Sequence, residues 1–196
     1  TGAGNDNVVS GSGDDIIRTG NGTATISSLG GNDVITGGSG VDNITGGTGS
    51  DVMDGKAGID TYVIPQADSL STGLAIDLVK YVAGDLLDLA TPATSLVGSV
   101  NADLQAAAAT TVASTGITEA TLLANLTTAA ASGSVPANAF DQAGDTFHVT
   151  LSGASAMGSD VTYLVQNDAG NTAVTNADTI IVLTGTAVPT AIAEII

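Results

Sequence analysis

Between residues 1 and 63 an apolar side chain returns at every ninth position: Val8, Ile17, Ile26, Ile35, Ile44, Met53 and Tyr62. The glycines and polar residues around it keep the same phase. The stretch divides without a gap into seven nine-residue units, from TGAGNDNVV to GKAGIDTYV. The fourth place is always glycine (Gly4, Gly13, Gly22, Gly31, Gly40, Gly49, Gly58). The sixth is aspartate in six units (Asp6, Asp15, Asp33, Asp42, Asp51, Asp60), with Ala24 the exception. Each unit opens in small residues suited to a tight turn and closes in a short segment with an apolar centre, enough for one strand. Two units then make one flattened coil, with the eighth-place side chains stacked inward and alternate units sharing an edge. One edge carries Asp6, Ala24, Asp42 and Asp60, the other Asp15, Asp33 and Asp51. A flexible Gly/Asp linker would share the composition but would hold no phase. A phosphate-cradling GxGxxG is ruled out because the seventh place is never glycine.

The phase ends after unit seven, where Lys56 stands in a glycine position and Pro65 cannot donate to a further ladder. Residues 74–79 (LAIDLV) and 85–89 (DLLDL) read as short strands separated by Ala83-Gly84, placed to cover the open end of the array. Residues 99–133 change character. Asn101 and Thr118 are N-cap residues, alanine- and leucine-rich runs follow, and Gly116 and Gly133 are stops, so a short helical hairpin is expected there. From Asp145 onward DTFHVTL, DVTYLVQ and DTIIVLTG are β-rich runs separated by turn residues. Residues 1–63 are thus expected to form one unit and 64–196 a β-rich cap with a helical insertion.

Charge sharpens the picture. With 20 acidic residues against three basic ones the net charge is −17, which repels nucleic acid and anionic membrane surfaces and attracts divalent cations. Along each edge of the array the carboxylates of neighbouring coils lie roughly 5 Å apart, one strand spacing. At an effective dielectric near 20, each such pair repels by about 3 kcal/mol. The turns aim backbone carbonyls at the same gaps, and an all-oxygen cage suits Ca²⁺. The candidate ligands are the carboxylates of Asp6, Asp15, Asp33, Asp42, Asp51 and Asp60, with the turn glycines Gly11, Gly13, Gly31, Gly38, Gly40, Gly47, Gly49 and Gly58. Ala24 leaves the gaps on either side one carboxylate short. There is no cysteine, so thiolate sites and disulfides are excluded. No apolar run is long enough for a membrane span, and no basic, apolar leader opens the chain. His148 is the one histidine, and it reads as an exposed strand residue opposite Phe147 and Val149. Without a GxSxG elbow or an HExxH helix, no catalytic constellation is expected.

The repeat follows G-G-x-G-x-D-x-U-x, and on those residues the chain resembles the RTX family of secreted bacterial proteins. The resemblance implies an all-β dominated fold, a right-handed parallel β-roll of nonapeptides that binds calcium and is followed by a covering β-rich segment. It also implies export by type I secretion machinery through an uncleaved C-terminal signal, for which Ala193-Glu194-Ile195-Ile196 is the candidate. Thr1 stands where a first glycine belongs, so the chain reads as cut from a longer array. The expected role is a calcium-binding module of an extracellular surface protein of S-layer or adhesin type, a type in which copies of the chain assemble with one another. The alternative is the export and folding module of a secreted hydrolase whose catalytic domain lies upstream.

Overall fold

The computed structural model describes residues 1–65, 76–89, 95–97, 142–151, 161–168, 170, 174–175, 177–185, 187–189 and 191–196. The helical hairpin expected within 99–133 lies outside the described residues.

Every nine-residue unit supplies one strand: β1 (Asp6–Ser12), β2 (Ile16–Arg18), β3 (Ala24–Gly30), β4 (Val34–Gly38), β5 (Asn43–Thr45), β6 (Val52–Lys56) and β7 (Thr61–Ile64). Odd strands pair in parallel with odd, and even with even. Val8 faces Ile26, Ile26 faces Ile44 and Ile44 faces Tyr62 in one ladder, while Ile17, Ile35 and Met53 align in the other. Two units therefore make one rung, with a period of 18 residues, as the coil read from the sequence requires. Period-two alternation sends the eighth-place side chain inward from both ladders. Ile26, Ile35, Ile44, Met53 and Tyr62 are all buried in a single shared core. Full burial of such a side chain stabilises by about 1.5–3 kcal/mol.

The turns explain the glycines. Gly31, Gly49 and Gly58 have φ of 126°, 138° and 137°, a region that favours glycine. A Cβ on Gly49 or Gly58 would overlap the carbonyl of Gly31 or Gly40 in the preceding rung. Leu29 and Lys56, the two non-glycine residues at second-place turns, hold φ of 73° and 77°. Such a backbone costs a bulky L-residue roughly 1–2 kcal/mol.

The ladders run on past residue 63. β8 (Asp77–Val79) continues the even ladder, with Val79 on Met53, and β9 (Leu86–Leu89) continues the odd one, with Leu87 on Tyr62. The two strands flanking Ala83-Gly84 are thus not partners of one another. Beyond β8 the even sheet takes β13 (Thr179–Leu183) in parallel, then β12 (Val161–Gln166) and β11 (Asp145–Leu151) antiparallel, and finally β10 (Ser95–Val97) parallel to β11. The result is a five-stranded sheet, β1-β3-β5-β7-β9, and an eight-stranded one, β10-β11-β12-β13-β8-β6-β4-β2. The last residues close the odd sheet. Ile195 bridges Leu87, and Ile196 exchanges backbone hydrogen bonds with Leu87 (2.8 Å) and Leu89 (3.0 Å).

Two of the three basic residues work where repeats meet cap. Lys56 and Lys80 both pair with Asp54, at 2.8 and 3.1 Å, and hold its carboxyl below the usual range against the opposing effect of burial. The Tyr62 hydroxyl accepts from the Gly55 N–H and donates to the Lys80 carbonyl. One expectation is corrected here. His148 is buried rather than exposed, at 6% of its surface, and loss of water holds its pKa down. In β11 it aligns with Leu164, and alternation along the strand fixes only that it opposes Phe147, not which face is covered.

Candidate metal centre

The aspartates form two stacks, one on each edge, and each is tied to its neighbour by the backbone. On the even edge Asp33 Oδ1 accepts the Asp15 N–H (2.8 Å), and Asp51 Oδ1 accepts the Asp33 N–H (2.8 Å). On the odd edge Asp42 Oδ1 accepts the Ala24 N–H (2.7 Å), and Asp60 Oδ1 accepts the Asp42 N–H (2.9 Å). Each carboxylate thus satisfies the amide at the equivalent place one rung earlier. Asp33, Asp42, Asp51 and Asp60 are all at most 1% exposed. Amide donors offset part of the charge that such burial confines.

The stacks extend where the nine-residue phase does not. Asp77 Oδ1 accepts the Asp51 N–H (2.9 Å), and Asp85 Oδ1 accepts the Asp60 N–H (3.0 Å), across 26 and 25 residues rather than 18. Sequence reasoning missed both. Their signal is the Asp-x-apolar triplet shared with the repeats, Asp77-Leu78-Val79 and Asp85-Leu86-Leu87. The even stack ends at Asp77, because Ile181 takes the next place in register.

The second oxygen is not treated alike along the two stacks. Asp42 Oδ2 accepts the Gly38 N–H (2.9 Å) and Asp85 Oδ2 the Val82 N–H (2.8 Å), so both oxygens of these groups are engaged. On the even edge the buried Oδ2 atoms of Asp33 and Asp51 have no hydrogen-bond partner among the described residues. Asp51 Oδ2 packs against the bare Cα of Gly46, where a Cβ would overlap it, as Asp42 Oδ2 packs against Gly37 and Asp60 Oδ2 against Gly55. Burial raises the Asp51 carboxyl to about 6, against the lowering by the Asp33 amide, and it does the same to Asp60. A buried carboxylate oxygen with no donor and a raised pKa calls for a cation, which would satisfy it and hold it ionised.

Ala24 breaks the odd edge as expected. With no carboxylate there, the Asp6 N–H turns to the Thr23 carbonyl (3.0 Å), and Asp6 Oδ2 accepts from the Thr1 hydroxyl. Among the glycines, Gly13, Gly31, Gly47, Gly49 and Gly58 lie in left-handed turns. Gly40 packs under the Gly22 carbonyl. Gly38 has its carbonyl taken by the Ala57 N–H, and Gly11 sits within β1 opposite Leu29. Among the described residues no three acidic, histidine or cysteine side chains converge as a metal-binding group. A cation on this edge would take carboxylates of successive rungs and complete its shell with oxygens of backbone or water, an all-oxygen set of the kind calcium prefers.

Residues 1–26 and 27–62 each match the RTX calcium-binding nonapeptide repeat, a family model of four copies. RTX nonapeptide repeats are calcium-binding motifs, so Ca²⁺ is the cofactor to which this array is suited. The match covers under a third of the sequence and stops before β8. No curated protein matches the chain.

Proposed function

We propose that the chain is a calcium-folded RTX module of an extracellular surface protein, built on a right-handed parallel β-roll. The observation that carries this reading is the even-edge stack, where Asp33 and Asp51 are buried with one oxygen on a backbone amide and the other without a hydrogen-bond partner among the described residues. Calcium supplies that missing partner. The binding residues on this reading are Asp15, Asp33 and Asp51 on the even edge and Asp42 and Asp60 on the odd one.

The physical role follows from linkage. An ion that binds only the folded state adds about 2.7 kcal/mol per site at a hundredfold excess over Kd. Glycine-rich units with one large apolar residue each bury too little to offset their ordering entropy alone. Where calcium is scarce, as inside a cell, the array stays open and able to thread a type I channel. Outside it folds. Scarce lysine and arginine beside abundant alanine, threonine, glycine and valine favour a surface assembly over the alternative, the export and folding module of a secreted hydrolase whose catalytic domain lies upstream. Circular dichroism of the whole chain tests the reading: β signal and heat resistance should rise with calcium and fall with EGTA. A spectrum and melting curve indifferent to both would refute it.

A further inference from the structure

We propose that the even-edge calcium ladder closes on a residue outside the repeats, with Asp77 forming a terminal site against Asp51. The proposal rests on the calcium reading above and goes beyond the residues that match the repeat family, which end at 62.

Asp77 stands to Asp51 as Asp51 stands to Asp33. In each case the later carboxylate receives the earlier residue's amide through Oδ1, at 2.9 and 2.8 Å. The backbones agree, since Leu78 N–H donates to the Asp51 carbonyl as Val52 N–H donates to the Asp33 carbonyl. Both carboxylates are 0% exposed. The observation that points to a ligand is Asp51 Oδ2, buried and without a hydrogen-bond partner among the described residues. The other edge shows what a finished junction looks like. There both oxygens of Asp85 are engaged by the amides of Asp60 and Val82, and the geometry needs no ion.

The consequence is a coupling between metal and cap. β8 carries Asp77 and is also the strand on which β13 pairs, so an ion between Asp51 and Asp77 fastens the downstream sheet to the repeats. By linkage, seating β8 raises calcium affinity as much as calcium favours the seating.

The test is calcium titration of the full chain and of Asp33→Asn, Asp77→Asn and Asp85→Asn. Asparagine keeps an oxygen for the amide of the preceding rung and removes the charge. Asp77→Asn, at the end of the stack, should bind one calcium fewer than the parent, whereas the interior Asp33→Asn borders two sites, and Asp85→Asn should keep the parent's count. If Asp33→Asn loses calcium while Asp77→Asn retains the full count and affinity, the terminal site does not exist and the calcium reading stands. If Asp85→Asn loses as much as Asp77→Asn, the loss reflects an unseated junction and the proposal falls. A parent that binds no calcium sinks both. Hydrogen exchange on the unmodified chain gives an independent readout. Calcium should slow exchange at Leu78 and Val79 along with Val34 and Val52, and protection confined to the last two would overturn the proposal.

Discussion

Asp51 and Asp60 are carboxyls that their surroundings prefer to keep neutral, and that preference predicts an unusual response to pH. Burial lifts both from an ordinary 3.8 to about 6, with the Asp33 and Asp42 amides pulling the other way and neighbouring carboxylates adding to the rise. Between those values the folded chain binds more protons than the unfolded one, so stability falls as pH rises. The calcium-free protein should gain stability on acidification from pH 7.5 to 5. His148 acts in the opposite sense within this window, because burial holds it below its ordinary 6.5 in the folded chain with or without calcium, so it is the contrast between the two forms that reports on Asp51 and Asp60. Asp54, held low by Lys56 and Lys80, also opposes them, but only below its ordinary 3.8. Calcium reverses the dependence, because the ion needs both groups ionised. Circular dichroism of the metal-free protein and melting of the calcium-saturated protein at the two pH values check this: the metal-free form should show more β signal at pH 5, the saturated form should melt higher at pH 7.5. Parallel shifts in the two forms would show that these carboxyls are not the controlling groups.

At the scale of the ladder the two edges differ, and they should bind calcium unequally. On the even edge Asp33 and Asp51 each have an oxygen without a hydrogen-bond partner among the described residues. The odd edge is interrupted at Ala24, and Asp42 has both oxygens on amides, those of Ala24 and Gly38. An ion entering there has to displace the Gly38 hydrogen bond, worth about 0.5–1.5 kcal/mol net and more when the acceptor is charged. Asp33→Asn should therefore weaken calcium binding by about tenfold more than Asp42→Asn, a difference of ~1.4 kcal/mol, read by calorimetric titration. Equal losses would mean that the Gly38 contact gives way without cost. The sequence made the interior of both stacks legible because a fixed phase of nine forces equivalent residues into register every 18. It hid Asp77 and Asp85, since the extra residues before each break the phase while the strand pairing restores it. The choice between one engaged oxygen and two was not legible either. It depends on whether a turn amide such as Gly38 or Val82 comes within reach, a matter of tertiary placement. His148 fell to the same limit, because alternation names two faces and packing decides which is wet.

Over the whole molecule a single apolar core runs from Ile17 through Tyr62, Val79 and Leu87 to Leu164, Ile181 and Ile195. Repeats and downstream strands therefore share the packing that makes unfolding cooperative, and the C-terminal residues belong to it. Ile195 is 2% exposed and Ile196 is 46% exposed, though the two are adjacent and identical in kind. On the proposed function the tail serves as an export signal, and in the folded chain it lies beside β9 on the odd sheet. These roles are compatible only in order, with the tail read while extended and then hidden as β9 takes it up. Substitution separates them. In calcium, Ile195→Ala should lose about 2–5 kcal/mol, the cost of emptying a core site, whereas Ile196→Ala should lose under about 1 kcal/mol because half of its side chain is already in water. Denaturant unfolding of the two variants measures this directly, and equal small losses would show that the tail does not hold the odd sheet closed. Secretion yield of the same pair reports the other role: a signal read before folding is indifferent to which isoleucine is later buried, so both variants should leave the cell at similar levels.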